Sequence, residues 1–252
     1  MRIEQFLSES AQRRSANAAL VVAGRSHSYR ELAYAAGRVA AGLTSRGIGR
    51  GDRVAIVMDN SFAAVATSFA VLIAGGVVCA VDPLVDFEAL RTTLGRLGAI
   101  AVATEARFAS AVGAALATTT TVRLVLLSGG DRSTASASCL CFENLITGIG
   151  SPPVVPRAGA ASDPAVVLRA ADSGNLVETT LTHADLVAAA WAVAPCVSAK
   201  GLRSIFSHHG FSQLLAAIRT GATVALESSA VFSHSVFGAE GDEPEAAPAL
   251  AG

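Results

Sequence analysis

Two thiols one residue apart, Cys139-Leu140-Cys141, and two adjacent imidazoles, His208-His209, are the side chains whose type and spacing could do chemistry. A close thiol pair suits a soft metal, but no second Cys or His pair stands at a zinc-site spacing around it. Free thiols and no metal are the expectation. The other cysteines, Cys79 and Cys196, complete a set too small and irregular for a disulfide framework, which reads as a reducing cytoplasm. The histidine pair could bind a metal or move protons near neutral pH. Neighbours on a strand face opposite ways, however, which argues against a shared ligand geometry. Lysine chemistry is narrow: the 19 basic residues are 18 Arg and Lys200, so no mechanism needing two lysines is available. That skew, with 52 Ala, suggests a GC-rich bacterial coding sequence.

Alternating elements must position these groups. Ile3, Phe6 and Leu7 repeat at helical spacing, and Ala18 to Val22 reads as a short strand before a turn at Gly24. Ser28-Tyr29-Arg30-Glu31 has the spacing of a capping box, so a helix is expected from Tyr29 to about Arg46, ended by Gly47. Strands follow at Arg53 to Met58, Val77 to Val81, Ala99 to Ala103 and Val122 to Leu127, separated by helices near Phe62 to Ala74, Phe87 to Leu97 and Phe108 to Ala117. This alternation predicts an α/β fold with mostly parallel, helix-covered sheets. A connecting region spans 128–162, and a second α/β subdomain spans 163–227. The latter holds a strand at Ala165 to Leu168, a polar loop, a helix at His183 to Val193, a strand at Ser204 to Ser207, a helix at Phe211 to Arg219 and a strand at Ala222 to Leu226. Residues 1–127 form the first subdomain, and 228–252 a tail expected to be disordered from about 238.

Nineteen basic against twenty acidic residues leave a net charge of -1, which removes the electrostatic footprint of a nucleic-acid binder. The uncharged run from Asn60 to Val81 is long enough to span a bilayer, but Gly75-Gly76 divides it and Asp82-Pro83 ends it. A buried helix followed by a buried strand is the expectation, with no membrane span. Glu4 stands where a signal peptide would carry its basic start, so a cytoplasmic location is expected.

Ser28-Tyr29-Arg30-Glu31-Leu32, Gly51-Asp52-Arg53-Val54-Ala55-Ile56, Asn60-Ser61 and Ala74-Gly75-Gly76-Val77-Val78 through Asp82-Pro83 together resemble the N-terminal part of adenylate-forming acyl-CoA synthetases, over about residues 3 to 227. The resemblance implies a ligase that uses ATP to turn a carboxylate into an acyl-AMP and passes the acyl group to a thiol. It also implies a Ser/Thr/Gly-rich phosphate loop ending in Pro-Lys-Gly before a Thr-His. The matching segment runs Arg169-Ala170-Ala171-Asp172-Ser173-Gly174-Asn175-Leu176-Val177-Glu178, then Thr179-Thr180-Leu181-Thr182-His183. Ser173 and Gly174 are retained; Val177 stands at the Lys position and Glu178 at the last Gly. Glycines and hydroxyls admit phosphate oxygens to backbone N–H groups, and a Lys adds charge. A carboxylate about 4 Å from a phosphate charge costs on the order of 4 kcal/mol at an effective dielectric of about 20.

The same resemblance implies that Ser207, His208, His209, Gly210 and Phe211 line an acyl pocket; an ordinary loop role is the alternative. It further implies that a later Thr-Glu segment, a ribose-binding Asp and a small domain with a catalytic Lys have no counterpart here. Lys200 matches neither functional Lys. The expectation is a truncated, degenerate ligase homologue, a pseudoenzyme inactive alone and acting as a binding or interaction subunit. The alternatives are a ligase half completed in trans by a second polypeptide, and a non-functional remnant. No cofactor is expected, with ATP or AMP and Mg only if the altered loop still binds nucleotide. An acyl or carboxylate ligand is possible, and self-association or a partner protein should cover an exposed sheet edge beside Ala222 to Leu226.

Overall fold

The computed structural model describes residues 1–118, 121–131, 133, 136, 138–148, 159–172, 175–193, 202 and 204–227, and of 169–172 and 175–177 the backbone alone. Ser173, Gly174, Cys196, Lys200 and the 228–252 tail lie outside the described residues.

The chain opens with α1 (Glu4–Arg13), then β1 (Ala18–Val22) and β2 (Arg25–Ser28). The expected capping box starts α2 (Tyr29–Ser45): the Ser28 hydroxyl accepts from Glu31 N–H, and the Glu31 carboxylate accepts from Ser28 N–H at 2.7 Å. Next come β3 (Arg53–Val57), α3 (Phe62–Ile73), β4 (Val77–Ala80), α4 (Phe87–Leu97), β5 (Ala101–Glu105), α5 (Ala109–Leu116) and β6 (Leu124–Ser128). A short β7 (Cys139–Cys141) and α6 (Phe142–Thr147) follow within the stretch read as a connection. Then come β8 (Pro164–Asp172), β9 (Asn175–Thr182), α7 (His183–Ala192), α8 (His208–Thr220) and β10 (Val224–Leu226).

Seven strands form one sheet in the order β7-β6-β5-β3-β4-β8-β9, parallel throughout except for the β8–β9 hairpin. Alternate residues feed two cores. Val54, Ile56, Val78 and Ala80 join the larger one with α2 and α3. Ala55, Val57, Cys79 and Val81 join the smaller one with Leu90, Leu94 and Leu97 of α4 and Val112 of α5. Helices thus cover both faces, which is why these strands read as continuous apolar runs.

The uncharged run resolves as expected into α3, buried from Ala63 to Ile73, and β4; no described helix is long and apolar enough to cross a membrane. Gly75 makes the turn at φ +86°, and a Cβ at Gly76 would sit 2.9 Å from the Asp52 carbonyl oxygen. Both glycines are required where the chain reverses against the start of β3.

A second sheet has the order β10-β1-β2. β10 is an end strand of this sheet. β10 lies parallel to β1, with Leu20 opposite Val224, while Leu202 bridges Leu226 from the other side. Strands from residues 163–227 also enter the main sheet, where β8 pairs with β4. Ser204 to Ser207 is not a strand: Ser207 caps α8, accepting from Gly210 N–H at 2.9 Å. The segment read as a polar loop after Leu168 is the rest of β8 and all of β9.

Candidate functional site

The segment matched to a phosphate loop is a hairpin. Eight pairs of β8 and β9 residues face each other, from Pro164 and Thr182 at the base to Asp172 and Asn175 at the far end. Val177 stands opposite Ala170, Glu178 opposite Arg169 and Thr179 opposite Leu168. Backbone N–H groups in such a ladder alternate between the partner strand and the open edge, instead of converging as they do in a phosphate-cradling concavity. Glu178 does not stand alone: Arg96, from the last turn of α4, forms an ion pair with it. Thr179 and Thr180 are exposed.

At the base of the hairpin the side chains turn inward. Thr182 caps α7 with a reciprocal pair: its hydroxyl accepts from Asp185 N–H at 3.1 Å, and the Asp185 carboxylate accepts from Thr182 N–H at 2.9 Å. That cap aims His183 into the protein, fully buried, with Nδ1 3.4 Å from both Ile3 N and Glu4 Oε2. Glu4 is itself buried and accepts from Arg2 Nε at 2.6 Å. Arg2 reaches Asp163 at 3.2 Å, and Arg50 holds the other Asp163 oxygen at 2.7 Å. Burial pushes the His183 imidazole down to about 4, with the Arg2 charge acting in the same direction. Burial raises the Glu4 carboxyl against the pull of Arg2, while Arg50 holds Asp163 below its ordinary range. Glu4 Oε2 and His183 Nε2 have no hydrogen-bond partner. The sequence singled out none of Arg2, Glu4 and Asp163; the available signal was a histidine placed just inside a capping box.

The histidine pair sits elsewhere, on the first turn of α8. Ser207, His208 and His209 are exposed, Gly210 and Phe211 buried. His209 Nε2 lies 2.6 Å from Gln213 Nε2, one helical turn along. A Cβ at Gly210 would collide with the Ser204 carbonyl, so that glycine lets α8 start against the preceding turn. Being helical, the two imidazoles diverge for a different reason than strand alternation: consecutive helical positions do not face each other. Among the described residues no hydrogen bond or ion pair joins this segment to the hairpin.

At the C-terminal ends of the main-sheet strands, where open α/β sheets bind ligands, polar groups are mutually engaged. Asp59 and Glu105 both hold Arg107, each at 2.7 Å. Asn60, buried, binds Ile205 N–H through Oδ1 at 3.0 Å and donates to the Glu227 and Leu202 carbonyls at 2.9 and 3.3 Å. The described cysteines are free thiols, as expected, and burial pushes Cys79 up to about 12. Among the described residues no cluster of three His, Cys, Asp or Glu could hold a metal.

Known proteins resemble this chain in sequence and in fold. The family model described as AMP-binding enzyme matches residues 7–168. Surfactin synthase subunit 2 of Bacillus subtilis is 37% identical over 91 residues, 36% of this chain and 2% of that protein. Phosphinothricin tripeptide synthetase PhsC of Streptomyces viridochromogenes is 35% identical over 99 residues, 39% of this chain and 9% of its own length. The benzoate CoA ligase of Burkholderia xenovorans superposes on 90% of this chain with a TM-score of 0.74 and 22% identity, and the anthranilate CoA ligase AuaEII, solved with anthranoyl-AMP, with a TM-score of 0.78 and 16% identity. This chain spans 45% of each of those ligase structures.

Proposed function

Since the chain belongs to the AMP-binding enzyme family, we propose that these 252 residues keep that family's fold as a binding or interaction subunit without ligase activity of their own. One observation carries this reading: the segment that would cradle phosphates is laddered strand up to the Asp172–Asn175 pair. A nucleotide would have to open that ladder, and Val177 offers no charge in return. Arg96 offsets part of the Glu178 repulsion, so the obstacle is the closed backbone more than the carboxylate. A ligase half completed in trans is the second reading, motivated by the match of residues 7–168 to the AMP-binding enzyme family. Acyl-pocket lining by Ser207 to Phe211 belongs to that second reading, because it needs a facing wall.

Incubation with ATP, CoA and a panel of carboxylates should release no pyrophosphate. The double variant Val177→Lys/Glu178→Gly weakens the ladder at its charged end and returns a cation, and should gain ATP affinity by about tenfold, roughly 1.4 kcal/mol. It should still not turn over. Calorimetric titration of both proteins decides the matter: tight ATP binding by the parent overturns the proposal, and pyrophosphate release only on adding a second polypeptide selects the second reading.

A further inference from the structure

Cys139 and Cys141 stand two residues apart on β7, opposite Val125 and Leu127 of β6, and so share one face of the strand. Leu140 between them, opposite Leu126, turns the other way into the larger core. The two thiols have different surroundings. Cys139 is half-buried, and burial together with the neighbouring Cys141 raises its thiol. Cys141 is buried, and its Sγ–H donates to Glu143 Oε2 at 3.3 Å. Glu143 is fixed for that contact, because Ser128 Oγ and Gly129 N–H donate to its other oxygen at 3.1 and 2.9 Å. Burial opposes its charge, but hydrogen bonds from backbone amides, Cys141 and Ser128 hold the carboxyl below its ordinary range. An accessible thiol thus stands beside a second thiol whose proton already points at a carboxylate. Cys79, the third described thiol, is fully buried in the smaller core.

We propose that Cys139 and Cys141 are a reversible thiol–disulfide pair that closes by exchange with an oxidised low-mass thiol. Cys139, the more exposed, loses its proton to solvent and attacks the small disulfide, whose S–S bond breaks. One small thiolate leaves, and Cys139 is left in a mixed disulfide. Cys141 then gives its proton to Glu143 and attacks the Cys139 sulfur. The mixed bond breaks, the Cys139–Cys141 bond forms, and the second small thiolate departs. Two protein thiols are oxidised and one small disulfide is reduced to two thiols, which take up the two protons released. Closure strains the strand. Two residues of β-strand span about 6.4–6.8 Å between Cα atoms, the upper end for a disulfide, and the Cβ atoms must approach to about 3.8 Å. β7 therefore bends at Leu140, as an end strand of three residues whose outer side meets only a turn at Ser136 is free to do. A strained disulfide is readily reduced, so the pair opens again when the small thiol pool is reduced. This inference goes beyond the functional reading and needs no nucleotide.

The full chain, equilibrated with reduced and oxidised glutathione in varied ratio and trapped by alkylation, tests it by peptide mass mapping. The peptide that holds Cys139 and Cys141 should lose two hydrogens as the oxidised share rises and regain them in reduced glutathione, while Cys79 stays a thiol. Cys141→Ser should stop at the mixed disulfide, with glutathione retained on Cys139. Glu143→Gln should slow the second step at least about tenfold near neutral pH. Its rate should also climb with pH where the parent's is flat, which a merely structural carboxylate would not produce. Circular dichroism matching the parent shows that each variant folds. Closure should speed hydrogen exchange at the Val125 amide, which donates to the Ser138 carbonyl at 2.9 Å. Thiols that stay reduced in oxidised glutathione overturn the proposal. So do a glutathione adduct that persists on Cys139 of the parent, a bond from Cys139 to Cys196 or to a second chain, and an unmoved Val125 amide in the closed form.

Discussion

The unfolding free energy should rise by about 3 kcal/mol between pH 4 and pH 6.5 through His183 alone, and His183→Gln should remove that rise. An imidazole held down to about 4 in the folded protein and near 6.5 in the unfolded chain binds more protons when unfolded throughout that window. Its contribution is complete above pH 6.5 and is lost as the pH falls toward 4. The charges facing it explain the direction. Arg2 and the terminal amine oppose a second cation, while Asp163, already claimed by Arg50 and Arg2, attracts it only in part. Glu4 works in the opposite sense. Its raised carboxyl retains a proton in the folded state, so its contribution falls as the pH climbs from 4.5 through that raised value. The parent therefore shows the difference of two slopes, His183→Gln leaves the falling one, and Glu4→Gln exposes the full rise. Urea unfolding at half-unit pH steps separates the three. Superimposable profiles for parent and His183→Gln would rule out the buried neutral imidazole.

Asn60→Ala should cost about 3 to 5 kcal/mol, more than a surface substitution by nearly an order of magnitude. The amide closes three backbone groups at once: Ile205 N–H and the carbonyls of Leu202 and Glu227. Alanine leaves each without that partner, and an orphaned buried polar group costs about 1–3 kcal/mol. The damage should be local as well as global. Leu202 N–H donates to the Ala225 carbonyl at 2.7 Å and Glu227 N–H to the Leu202 carbonyl at 3.2 Å, so loosening Asn60 should speed hydrogen exchange at these amides before the main sheet is affected. Denaturant titration gives the total, and residue-resolved exchange the order.

Most of the main sheet was legible because its strands are buried on both faces and its helices carry their own start signals. Ser28 with Glu31, Ser61 and Asp86 each cap the helix that the apolar spacing predicts. What escaped did so for local reasons. β2 is Arg-Ser-His-Ser, with no apolar alternation, and exists because β1 offers it an edge. β9 reads as polar because its outer residues meet solvent, and the likeness to a phosphate loop argued against a strand. α6 had Phe142, Leu145 and Ile146 at helical spacing but stood inside a Ser/Thr/Gly-rich stretch that dominated the window. Ser204-Ile205-Phe206-Ser207 has two apolar residues between serines, a pattern that suits a short strand as well as a helix approach; the Ser207 cap decided it. The Arg2–Glu4–His183–Asp163 cluster joins residues from opposite ends of the described chain, and nothing in single-sequence spacing reports such a meeting.

The parallel pairing of β1 with β10 ties the timing of folding to chain length. Leu20 meets Val224, roughly two hundred residues away, and everything around that meeting shares the delay. Ser10 donates to the Ile218 carbonyl at 2.5 Å, Tyr29 to the Ala222 carbonyl at 2.6 Å, and Arg14 to the Thr220 carbonyl. A chain leaving the ribosome thus carries α1 and β1 with only part of their packing, from α2 and β2, until α8 and β10 emerge. Such distant closures are the slow ones, because loop entropy is lost before contacts compensate. Ile3, Phe6, Leu7 and Leu20, all buried in the folded protein, gain their full cover only then. α1 and β1 are made well before their packing is complete, and during that interval they form a stretch that a chaperone would hold.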